Sequence, residues 1–78
     1  MKIKVKLYTI LKKYAKGKVF KDDTINLHKD TTLQGLSRCL SIPENIGIIF
    51  LVNDSPQSKE FRLSEGEEVK MFTLICGG

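Results

Sequence analysis

Seventy-eight residues are too few to bury two separate hydrophobic cores, so the sequence reads as a single domain over residues 1–78. The apolar fraction of 41% is ordinary. No run approaches the roughly 20 apolar residues of a membrane-spanning helix, and the opening Met1-Lys2-Ile3-Lys4-Val5-Lys6 lacks the continuous apolar stretch of a secretory signal, which predicts a cytoplasmic protein without a membrane partner. The net charge of +4 is lopsided, with eight lysines and no acid in residues 1–21. No arginine cluster or stacking aromatic motif accompanies them, so solvated lysines that resist aggregation explain the bias better than a nucleic-acid surface.

Ile3, Val5 and Leu7 alternate with Lys2, Lys4 and Lys6, the period of a strand with one buried and one wet face. Ile10, Leu11 and Tyr14 have the spacing of a short helix or turn, stopped at Gly17. Asp22-Asp23 signals a turn, and Thr24–His28 alternates again as a second strand that begins as early as Val19. Thr31, followed three positions later by Gln34, fits a capping box, and Leu33, Leu36 and Leu40 form one helical stripe. A helix over Thr32–Ser41, ended by Pro43, follows, with Cys39 as a small apolar filler beside the stripe.

The run Ile46–Val52 is rich in branched apolar residues, as expected of a strand covered on both faces near the sheet's centre. Asn53-Asp54-Ser55-Pro56 reads as a turn, Glu60–Arg62 as a short edge segment, and Ser64-Glu65-Gly66-Glu67 as another turn. In the last strand Val69, Met71, Thr73 and Ile75 share one face, and Lys70, Phe72, Leu74 and Cys76 the other. The order predicts an α+β fold: a mixed four- to five-stranded sheet with one main helix packed on one face.

No nucleophile–base pair, phosphate loop or ligand cluster is visible, so an autonomous enzyme is not expected. Cys39 and Cys76 form no CxxC pair and His28 is the only histidine, which leaves neither a zinc site nor a disulfide expected. A small core supplies only about 3–5 kcal/mol of stability, which favours function at an edge or a tail over a deep enclosed site. What stands out is the tail. A strand-forming segment runs almost directly into Gly77-Gly78. Extended, Cys76 to Gly78 spans about 10 Å, and glycine's missing Cβ lets a partner's backbone approach the terminal carboxylate closely. That carboxylate is a poor electrophile until a partner activates it as an acyl adenylate, and exchange of one oxygen for sulfur then gives a nucleophilic thiocarboxylate.

Several stretches resemble the MoaD/ThiS family of ubiquitin-like sulfur carriers. They are Ile3-Lys4-Val5-Lys6-Leu7-Tyr8 through Lys16-Gly17-Lys18, Val52-Asn53-Asp54, Leu63-Ser64-Glu65-Gly66-Glu67-Glu68-Val69 and Gly77-Gly78. Length and the Val5–Lys18 segment look most like the molybdopterin synthase small subunit. The resemblance implies a ubiquitin-like β-grasp fold with an exposed tail at 76–78. It implies that Gly78, presented by Gly77, is adenylated by an E1-like adenylyltransferase that uses ATP, takes sulfur from a donor protein, and inserts into the molybdopterin synthase large subunit. The carrier itself would bind no cofactor and contribute to that complex without being an enzyme.

Phe72 and Leu74 then become a docking patch, with core packing as the alternative, and Cys76 either relays sulfur or lines the partner's channel as a small apolar residue. Glu67 and Cys76 depart from the family's commoner residues. Four further readings compete: sulfur delivery to thiamine or another metabolite, a ubiquitin-like modifier joined to lysines through Gly78, a purely structural interaction domain, and, least favoured, a basic nucleic-acid module.

Overall fold

The computed structural model describes residues 1–15 and 22–73. Five strands form one sheet: β1 (Lys2–Leu7), β2 (Thr24–Asn26), β3 (Ile48–Val52), β4 (Ser55–Gln57) and β5 (Glu68–Thr73), in the order β2-β1-β5-β3-β4. The central pair β1 and β5 is parallel and the other pairs are antiparallel. A helix, α1 (Leu33–Cys39), packs on one face, as expected from the order of elements. Ile3, Val5, Phe50, Val52, Val69 and Met71 point from the sheet into a core closed by Leu33, Leu36 and Leu40.

After β1, the chain enters a 3-10 helix, Thr9–Ala15. Three residues per turn place Leu11 and Tyr14 on one line. Leu11 is fully buried and Tyr14 packs at the core's margin, whereas Ile10, expected on the same stripe, is 54% exposed. Gly17 and Val19, read as a helix stop and a strand start, lie outside the described residues. The turn into β2 is an Asx turn: Asp22 Oδ1 accepts from the Thr24 amide at 3.3 Å and from its hydroxyl at 2.6 Å. These bonds, the hydroxyl's first, hold the Asp22 carboxyl below the ordinary aspartate range. β2 closes at Asn26 rather than His28, although the Leu27 amide still donates to Met1 O at 2.8 Å.

The cap of α1 sits one residue later than the capping box predicts. Thr32 is the N-cap, and its hydroxyl accepts from Gly35 N at 3.1 Å. Gly35 therefore occupies the position where the box needs a reaching side chain, and Gln34 plays no part in it. The remaining early amides find backbone partners: Leu33 N donates to Phe61 O, Gln34 N to Lys59 O and Leu36 N to Thr32 O. The orphan donors of Leu33, Gln34 and Gly35 are thereby satisfied, and the Leu36 amide makes the first intrahelical bond. At the other end Ser41 adopts a left-handed φ of 59°, with bonds from Ser41 N to Arg38 O and from Ile42 N to Ser37 O. This Schellman closure ends the helix at Cys39, four residues before Pro43. Cys39 is exposed, not a core filler, because about 100° per residue carries it more than a quarter turn from the centre of the leucine stripe.

β3 differs from expectation in two ways. It is fourth of five strands, the centre being β5, and it is buried on one face alone: Phe50 and Val52 point to the core while Ile49 is 40% exposed. The turn that follows is two residues, Asn53 (φ 50°) and Asp54 (φ 69°), the pair of positive values of a type I′ hairpin. Ser55 and Pro56, read as part of the turn, belong to β4 instead. Proline is tolerated there because β4 is an edge with no outer neighbour to require its missing N–H. The edge segment expected at Glu60–Arg62 reduces to one bridge between Arg62 and Thr32. The turn at Ser64–Glu67 forms as read, with Gly66 at φ 82° and the Glu67 carboxylate accepting from Ser64 N, so glutamate closes this turn.

Candidate functional site

β5 is the strand that leads toward Gly77-Gly78, and it is held on both sides. Its residues Glu68–Met71 pair with Lys4–Leu7 of β1, and Val69–Thr73 with Val52–Ile48 of β3. The Tyr8 amide extends the first ladder by donating to Met71 O at 3.2 Å. Alternation along β5 then decides what each face presents: Val69 and Met71 are fully buried beneath α1, and Phe72 lies on the opposite face.

On that opposite face Phe72 stacks on Tyr8, ring centroids 4.6 Å apart and planes 7° from parallel. Across β3, Ile49 stands beside Phe72 in register, and Leu51 beside Lys70. Tyr8, Phe72 and Leu51 are half-buried and Ile49 exposed, so three adjacent strands present one apolar row that no described element covers. Lys2 and Lys4 of β1 are exposed, and Lys6 lies in register with Lys70. Lys70 Nζ is held by Asp54 Oδ1 at 2.8 Å; this hydrogen bond, with the carboxylate's charge, raises the ammonium's pKa. The site is thus an apolar row with a cationic margin, placed where β5 ends.

Of the residues singled out in the sequence, Phe72 takes its place in this row, while Leu74, Cys76, Gly77 and Gly78 lie outside the described residues. Tyr8, Ile49 and Leu51 were not anticipated. The available signal was the alternation hidden within Ile48–Val52, which assigns Ile49 and Leu51 to the face of Phe72 once Phe50 and Val52 are given to the core. Among the described residues no group of three or more histidine, cysteine, aspartate or glutamate side chains is placed to hold a metal ion. No helix among them is long and apolar enough to cross a membrane.

Known proteins resemble the chain at the level of family and of fold. The sequence model described as the ThiS family matches residues 5–78. The crystal structure of SAMP1 from Haloferax volcanii superposes with a TM-score of 0.70 at 17% identity, covering 100% of each chain. That likeness identifies the sheet and helix as a ubiquitin-like β-grasp. No curated protein matches the sequence.

Proposed function

The chain belongs to the ThiS family of ubiquitin-like carriers, and from that premise we propose that Gly78 is its working residue, a sulfur carrier's C-terminal carboxylate. An E1-like adenylyltransferase activates the carboxylate with ATP, forming the acyl adenylate and releasing pyrophosphate. The persulfide of a donor protein displaces AMP to form an acyl disulfide, and a second thiol cleaves its S–S bond, which leaves the thiocarboxylate on Gly78 and a disulfide on the donor side. The thiocarboxylate is a soft nucleophile near neutral pH, so the carrier needs no catalytic side chain of its own. The acceptor we favour is the pterin precursor of molybdopterin, reached when the tail enters the large synthase subunit.

The observation that carries this reading is the exit of β5 beside an uncovered apolar row. Five residues follow Thr73, and fully extended they reach at most about 17 Å, so a partner that grips Tyr8, Phe72 and Ile49 holds Gly78 within a short radius of its own active site. Such a partner presents an apolar centre and an acidic margin to meet Lys4, Lys6 and Lys70. Leu74 and Cys76 would line the entrance it offers to the tail, and Gly77 keeps the path narrow.

A second reading shares the activation step and differs at the acceptor, where a lysine amine attacks Gly78 to form an isopeptide bond. The fold likeness to SAMP1 suits both. Intact-protein mass after incubation with an E1-like enzyme, ATP and a sulfur donor separates them. A gain equal to exchange of oxygen for sulfur, absent from a chain lacking Gly78, supports the carrier. Conjugates of raised mass without that gain overturn it in favour of the modifier.

A further inference from the structure

A second concavity, of about 500 Å³, lies between α1 and the edge formed by β3 and β4. Its origin is a change of partner. β4 follows β3 for three pairs, ending at Phe50 and Gln57. The chain then leaves the sheet because its next carbonyls serve the helix, Lys59 O accepting from Gln34 N and Phe61 O from Leu33 N. Among the described residues no strand takes the place on the outer side of β3 opposite Ile48.

The hydrogen-bond alternation of the ladder shows what that place offers. Asn53 N donates to Glu68 O, and in an antiparallel pair bonded and non-bonded positions alternate. Leu51 and Ile49 therefore bond to β5, and Val52, Phe50 and Ile48 direct their N–H and C=O groups to the other side. Val52 meets Ser55 and Phe50 meets Gln57, but Ile48 meets no strand residue there. On the opposite wall, Ser37 of α1 is 9% exposed and its side chain lines the groove. Its hydroxyl is a donor that this wall offers to the groove. Ile46 and Phe50 supply apolar lining between the two.

We propose that this groove takes a short extended peptide segment of a partner protein, whose main chain pairs with Ile48 where β4 has left off, whose carbonyl accepts from Ser37 Oγ, and whose apolar side chain rests on Ile46 and Phe50. A vacant strand edge beside side-chain pockets is the geometry of strand addition. The site uses neither the Tyr8–Phe72 face nor any residue beyond Thr73, so it stands whether or not Gly78 carries sulfur.

The test begins with a phage-displayed library of random heptapeptides selected on the full chain. An enriched peptide, synthesised and titrated into isotope-labelled protein, is expected to move the amide signals of Ser37, Ile48 and Gln57. Ser37→Leu, which fills the groove, is expected to weaken it about tenfold or more, and Ser37→Ala, which removes the hydroxyl alone, about threefold, with Phe72→Ala leaving affinity unchanged. If Ser37→Leu fails to give a native amide spectrum, Ser37→Ala decides. No enriched sequence, shifts centred on Tyr8 and Phe72, or affinity indifferent to Ser37→Ala would each overturn the proposal.

Discussion

The two faces of the sheet use the same strands for opposite ends. On the inner face Ile3, Val5, Val69 and Met71 are sealed under α1; on the outer face Tyr8, Phe72, Ile49 and Leu51 are as apolar in character but lack a cover among the described residues. Burying the outer row would add stability by the same hydrophobic effect that holds the inner one. Apolar surface left at the end of the strand that leads to the tail is more readily explained by a partner than by folding.

The neighbouring residues Met71 and Phe72 give the sharpest way to break that comparison. Met71→Ala opens a cavity at a fully buried site and is expected to cost about 2–5 kcal/mol, enough to leave much of so small a domain unfolded in a urea titration. Phe72→Ala is expected to cost about 0.5–1.5 kcal/mol, roughly the worth of the lost aromatic pair, while activation by the E1-like enzyme falls at least tenfold. Equal losses of stability at the two positions would sink the distinction. Thr32→Ala removes the cap of the helix that covers the inner face, and a loss of about 1 kcal/mol is expected in the same titration. Ile49→Lys, on the outer face, should change stability by no more than about 0.5 kcal/mol. Its effect belongs to the mass assay, where the added charge disrupts docking.

The smallest effect concerns the margin of the outer row. Asp54 raises the Lys70 pKa, so the pair's stabilisation is fully present below the ordinary lysine range and is lost as pH rises through the folded value. The stability difference between the native chain and Asp54→Asn should accordingly narrow in strongly alkaline solution. An NMR titration of the Lys70 side chain reads the shift directly, and an identical curve in the variant would exclude Asp54 as its cause.

Sequence reading succeeded where one face was wet and failed where both were apolar. In β1 the lysines write the alternation openly. In β3 the run Ile48-Ile49-Phe50-Leu51-Val52 conceals it, because residues kept for a partner look the same as residues kept for the core. The cap was misplaced between two adjacent threonines: Gln34 favours Thr31, yet Gly35 N needs nothing more than an acceptor, and Thr32 provides it. Pro56 suggested a turn because it cannot donate, a defect that an edge strand does not feel. Gly77-Gly78 was legible as a motif, but the row formed by Tyr8, Phe72 and Ile49 depends on register between strands far apart in sequence, which no local pattern encodes.

The parallel pairing of β1 with β5 also governs how the protein can be made. Its central seam joins Lys4–Leu7 to Glu68–Met71, residues synthesised more than sixty positions apart. During translation β1 waits without its main neighbour until β5 emerges, and loops of such length make closure slow compared with local helix formation. The lysines that alternate along β1 keep this waiting strand from pairing with strangers in the interval.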